Sequence, residues 1–119
     1  MSSERTPVRI AIVDESAAFV AAAAAYIAAL PGYVLAATAE TADVLLLDLG
    51  RAPARGLEVL RRIRAAPGAP AVVAMTLFHS PDTASAAVAA GAVGLVGKDS
   101  FVTGLTQVLT ALFPADLAV

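Results

Sequence analysis

The 119-residue chain has no cysteine, a single lysine, a single histidine, and as aromatics only four Phe and two Tyr. Without cysteine there is no disulfide framework and no thiolate chemistry. Positive charge is not in excess either: eight Lys and Arg face ten Asp and Glu, for a net charge of −2. That balance gives no electrostatic ground for direct nucleic-acid binding. The longest apolar stretch, Ala17 to Leu30, has 14 residues and contains Tyr26. It falls short of the ~20 residues that span a bilayer. Met1 to Pro7 lacks the basic and apolar regions of a signal peptide. The expectation is a cytoplasmic protein with no membrane element, folded as one domain over residues 1–119.

What the chain does have is apolar content, 59% of its residues, with alanine supplying much of it. Alanine favours helix and lets elements pack closely. Short apolar runs bounded by polar or turn residues predict strands over 8–13, 44–47, 71–75 and 93–96, with a shorter one over 33–37. Between them lie helix signals. Ser16 is placed to cap a helix reaching Leu30, where Pro31-Gly32 stops it. Apolar residues at 57, 59, 60 and 63 predict a helix over 57–66 after a loop through 50–56. Ser80 followed by Pro81 opens another helix ending near Gly91. A last one runs from Ser100 through Phe113. Alternating strand and helix imply a parallel sheet covered by helices on both faces. Only about six residues separate Ala37 from Val44, too few for a helical crossover, which usually takes a dozen or more. A full helix is therefore missing there.

Each strong apolar run ends in a chemically useful side chain. Ile10 to Val13 stops at Asp14-Glu15, Val44 to Leu47 at Asp48, Ala71 to Met75 at Thr76, and Val93 to Gly97 at Lys98. In a parallel α/β sheet these positions share one rim, the rim where ligands collect. Carboxylates, a hydroxyl and an ammonium together suit phosphoryl transfer onto a carboxylate. Such transfer depends on positioning and charge neutralisation more than on proton transfer.

This pattern resembles the receiver domain of bacterial two-component response regulators over essentially the whole chain, from Val8 to Phe113. The matching pieces are Asp14-Glu15, Leu46-Leu47-Asp48-Leu49, Gly56 with the segment after it, Thr76, and Ala90 to Asp99 with Lys98. The resemblance implies a flavodoxin-like, doubly wound α/β fold with strand order 2-1-3-4-5. It implies that Asp48 accepts a phosphoryl group from a sensor histidine kinase, with Thr76 and Lys98 contacting that group. It also implies Mg²⁺ held by Asp14, Glu15, Asp48 and the backbone carbonyl near Gly50. The product would be a signalling switch acting on an output protein, in place of a turnover enzyme.

The chain departs from the family in four places. It has no room for the helix between the second and third strands. Ala52 stands where the loop after the acceptor usually has proline. Leu95 occupies the place of an aromatic residue three before the lysine, and Asp99 follows that lysine. The missing helix and Leu95 leave a second reading open, a pseudo-receiver that binds or dimerises without phosphorylation. The missing helix should also expose apolar surface beside the first strand. A homodimer through that flank, or through the last helix, is the expected consequence. His79 reads as a surface loop residue.

Overall fold

The computed structural model describes residues 6–114. Its elements are β1 (Val8–Val13), α1 (Ala17–Ala28), β2 (Tyr33–Leu35), β3 (Val44–Asp48), α2 (Pro53–Ala65), β4 (Ala71–Thr76), α3 (Pro81–Ala89), β5 (Gly94–Gly97) and α4 (Phe101–Leu112). Short 3₁₀ turns cover Ala39–Thr41 and Lys98–Ser100. The five strands form one parallel sheet in the order β2-β1-β3-β4-β5, the predicted order.

β3 lies at the centre, and Val44, Leu45, Leu46 and Leu47 are all buried. A strand covered on both faces reads as a continuous apolar run, which is why no alternation appears there. Val44 and Leu46 point to one face, where Ile27 of α1 and Phe101, Leu105 and Leu109 of α4 pack. Leu45 and Leu47 point to the other, against Leu60 of α2 and Ala87 of α3. Burying each of these large side chains contributes about 1.5–3 kcal/mol.

Helix starts follow local chemistry. Ser16 Oγ accepts the Phe19 amide at 3.2 Å, and Ser80 Oγ accepts that of Thr83 at 3.1 Å. α2 begins four residues earlier than the periodicity predicts, taking in part of the expected loop. Proline fits the first helical position because its missing N–H would be unpaired there anyway, so Pro53 starts the helix instead of delaying it. Gly56 then sits in the first turn, and a Cβ at that position would collide with the Leu49 carbonyl oxygen. The second strand is shorter than expected and stops at Leu35.

The second crossover is indeed rudimentary. A single 3₁₀ turn replaces a helix, closed by the Thr38 amide donating to Thr41 Oγ1 at 3.2 Å and the Thr41 hydroxyl donating to the Thr38 carbonyl at 3.0 Å. Its return to β3 is tied down by Arg9 and Asp43. The Arg9 amide donates to Asp43 Oδ2 at 2.8 Å, its guanidinium reaches both carboxylate oxygens, and the Asp43 amide donates back to the Arg9 carbonyl at 2.8 Å. Ala36, Ala39 and Ala42 cover part of the sheet face where a helix would lie. The remainder is open: Val13 and Leu35 are 44% and 43% exposed. Beside them is a cleft of about 250 Å³ whose walls include Ala11, Val13, Leu35 and Ala39.

Candidate functional site

Strand register gathers the rim. Val13 pairs with Leu47, so the next residues, Asp14 and Asp48, leave adjacent strands side by side. Asp48 is the last residue of β3 and pairs with Met75. Thr76 ends β4 opposite Gly97, and Lys98 follows Gly97 immediately. Parallel strands present all these ends at one edge.

Side-chain geometry is most definite for three of them. Lys98 Nζ lies 2.7 Å from Asp14 Oδ2 and 3.8 Å from Asp48 Oδ1. The Asp14 side chain is only 1% exposed, Lys98 13% and Asp48 18%. Asp14 is thus the anchored carboxylate and Asp48 the accessible one. Asp14 Oδ1 accepts the Ser16 amide at 2.8 Å. Its Oδ2 has the ammonium close by but no hydrogen bond of proper angle. The face of Phe19 lies on another side of that ammonium, with its centroid 4.4 Å from Nζ.

Two carboxylates share one ammonium here, so their charge is not fully compensated. The surplus negative charge, the hard oxygen donors and the buried Asp14 oxygen without a well-formed hydrogen bond fit a Mg²⁺ ion, which takes oxygen ligands. Asp14 and Asp48 could hold it. Glu15 is exposed, and no group of three or more His, Cys, Asp or Glu side chains able to hold a metal stands together among the described residues. The third acid is therefore not gathered with the other two. Gly50 lies just beyond β3 with φ +77°, in an exposed turn that leaves backbone, and no side chain, near the rim.

Thr76 is buried at 5% exposure on the neighbouring strand end. His79 is exposed, as expected for a loop residue. Leu95 packs with the α2 and α3 core. Phe19 was not evident as a site residue from periodicity, which marks it only as an apolar position of α1. Its spacing from the cap, Ser16-x-x-Phe19 next to Asp14-Glu15, is the signal that could have found it. No helix among the described residues is long and apolar enough to cross a membrane.

The likeness to known proteins follows this geometry. The family model for the response regulator receiver domain matches residues 10–110. No curated protein matches the chain. Among solved structures, a LuxR-family two-component response regulator from Aurantimonas sp. SI85-9A1 shares 29% identity, with 90% of this chain and 85% of that one covered and a TM-score of 0.74. The signal receiver domain of the putative response regulator NarL from Mycobacterium tuberculosis superposes with a TM-score of 0.72 at 19% identity, over 90% and 96% of the two chains. The Mn²⁺-bound form of response regulator Rcp1 gives 0.67 at 20% identity, over 95% and 100%. At those lower identities the likeness is one of fold. Strand order, rim chemistry and a family match over most of its length agree, and this chain belongs to the response regulator receiver domains of two-component signal transduction.

Proposed function

We propose that the chain is a phospho-accepting switch whose acceptor is Asp48. The observation that carries this reading is the unequal sharing of Lys98. The ammonium is ion-paired with Asp14 and stands a further 1.1 Å from Asp48 (3.8 against 2.7 Å), which leaves the more exposed carboxylate free to attack. In the step, a carboxylate oxygen of Asp48 forms a bond to phosphorus as the P–N bond of a phosphohistidine breaks. The departing imidazole keeps the electron pair and takes a proton from solvent. The product is an acyl phosphate on Asp48.

Lys98 places its positive charge where phosphoryl oxygens accumulate negative charge, and Thr76 donates its hydroxyl to one of them. Bound Mg²⁺ would neutralise further phosphoryl charge. Asp14 and Asp48 are the side chains that would hold it, with the backbone near Gly50 as a further oxygen donor. Glu15, which stands apart from them, would have to turn inward to join. Rcp1, a relative in fold, takes Mn²⁺, an ion of the same oxygen-preferring class. The phosphodonor is a sensor histidine kinase and the receiver of the signal is a separate output protein, all in the cytoplasm. The open flank around Val13 and Leu35 suits burial against a second copy of the chain, which light scattering at high micromolar concentration would register as a dimer.

The reading is tested by incubation with Mg²⁺ and acetyl phosphate, followed by intact mass measurement. A gain of one phosphoryl group is expected, lost in Asp48→Asn. An equal gain in Asp48→Asn would refute the assignment.

A further inference from the structure

Four interactions close a loop around the rim. Asp14 Oδ1 accepts the Ser16 amide at 2.8 Å, and Ser16 Oγ accepts the Phe19 amide at 3.2 Å. The Phe19 ring lies 4.4 Å from Lys98 Nζ, and that ammonium returns to Asp14 Oδ2 at 2.7 Å. The ring is fixed from behind as well. It meets Phe101 edge-on at 5.2 Å and 81°, and Phe101 meets Tyr26 at 6.2 Å and 73°. The Tyr26 hydroxyl hydrogen-bonds with Thr106 Oγ1 at 2.7 Å, joining α1 to α4.

We propose that Phe19 is a positioning residue whose ring face holds the Lys98 ammonium at the mouth of the site, between Asp14 and Asp48. A lysine ends a flexible four-carbon stem, so its charge needs walls to define it. Two carboxylates supply attraction on one side. With the side chain only 13% exposed, water solvates little of the remainder. A ring face attracts a cation through its quadrupole and is not displaced when a carboxylate changes charge. Phe19 therefore keeps Lys98 in reach when Asp48 becomes an acyl phosphate and the carboxylate's own pull is lost. The proposal rests on the reading of Asp48 as acceptor for its consequence, but not for its geometry.

The test uses the fact that Lys98 is the only lysine in the chain. Protein labelled with ¹³C-lysine therefore has one side-chain signal set. In the wild type, the Lys98 Hε resonance should lie upfield of its free-lysine position because of the aromatic ring current. Phe19→Leu, which keeps apolar bulk but has no ring, should return it to that position. The same variant should slow phosphorylation by acetyl phosphate about three- to tenfold, the range expected from loss of a partly desolvated cation–π contact. Phe19→Tyr should retain both the upfield shift and the rate. A wild-type resonance at the free-lysine position, or Phe19→Leu with unchanged shift and rate, would overturn the proposal. So would equal slowing in Phe19→Leu and Phe19→Tyr, which would mean that the residue only packs. If the wild type takes up no phosphoryl group, the acceptor reading fails, and the Lys98 resonance still decides where the ring holds the ammonium.

Discussion

Asp14 holds Lys98 at 2.7 Å, and this single pair divides the labour at the rim. The nearly inaccessible carboxylate takes the cation, while Asp48, one strand over, is the less buried of the two and has its nearest ammonium at 3.8 Å. With Asp48 as the proposed nucleophile, a site with the roles reversed would bury it. β1 and β3 are neighbours in register, which brings the two acids side by side within reach of one ammonium.

Removing Lys98 leaves Asp14 charged and poorly solvated. Breaking a fully buried pair costs about 3–5 kcal/mol. Lys98 is 13% exposed, so Lys98→Met should cost about 2–3 kcal/mol in urea denaturation, somewhat less than breaking a fully buried pair. The double variant Asp14→Asn, Lys98→Met should recover part of the loss, because the more buried of the two carboxylate charges is removed together with its partner. A Lys98→Met protein as stable as the wild type would mean that the pair is solvated and does not organise the site.

Divalent cation should relieve the surplus charge of Asp14 and Asp48. A ligand bound only to the folded state at ten times its Kd adds about 1.4 kcal/mol, a rise in Tm of about 5 °C for a domain of this size. Mg²⁺ in the millimolar range should give such a rise in the wild type and little in Asp14→Asn. Identical melting curves with and without Mg²⁺ would count against these carboxylates as ligands.

The shortened crossover depends on Arg9 and Asp43. Hydrogen bonds from the Arg9 side chain and amide lower the Asp43 pKa from its ordinary value, and the partnership raises that of Arg9. A carboxylate whose folded pKa is depressed contributes fully above the unfolded value, about 3.9, and loses that contribution as pH falls through the folded one. Arg9, raised from an already high value, stays charged throughout. The stability difference between wild type and Asp43→Asn should therefore be present at neutral pH, small because both groups are exposed, and fade as pH falls below the ordinary carboxylate range. A difference that persists in acid would mean that the charge of the Asp43 carboxylate is not what ties the crossover down.

Much of this was legible in the sequence because strand ends carry the chemistry. Val44 to Leu47 is buried on both faces, so it forms an unbroken apolar run whose last paired residue is Asp48. The missing helix was legible too, as a simple shortage of residues between Ala37 and Val44. The start of α2 was not. Gly50, Pro53 and Gly56 look like loop residues, yet Pro53 fills the first helical position and Gly56 is required where α2 crosses the Leu49 backbone. A close approach between segments leaves no periodic trace. The same holds for Phe19, whose partner Lys98 is 79 residues away and reaches it only through the fold. Glu15 was expected with the other acids from its neighbour Asp14, but adjacent residues beyond a strand diverge, and its side chain is exposed.

The central claim is that Asp48 carries the phosphoryl group, and locating the modification tests it most directly. Protein treated with Mg²⁺ and acetyl phosphate is reduced with borohydride, which converts an aspartyl phosphate to homoserine, then digested and sequenced by tandem mass spectrometry. Reduction at Asp48 alone is predicted. Reduction at Asp14 or any other acid, or no reduction anywhere, would contradict the account.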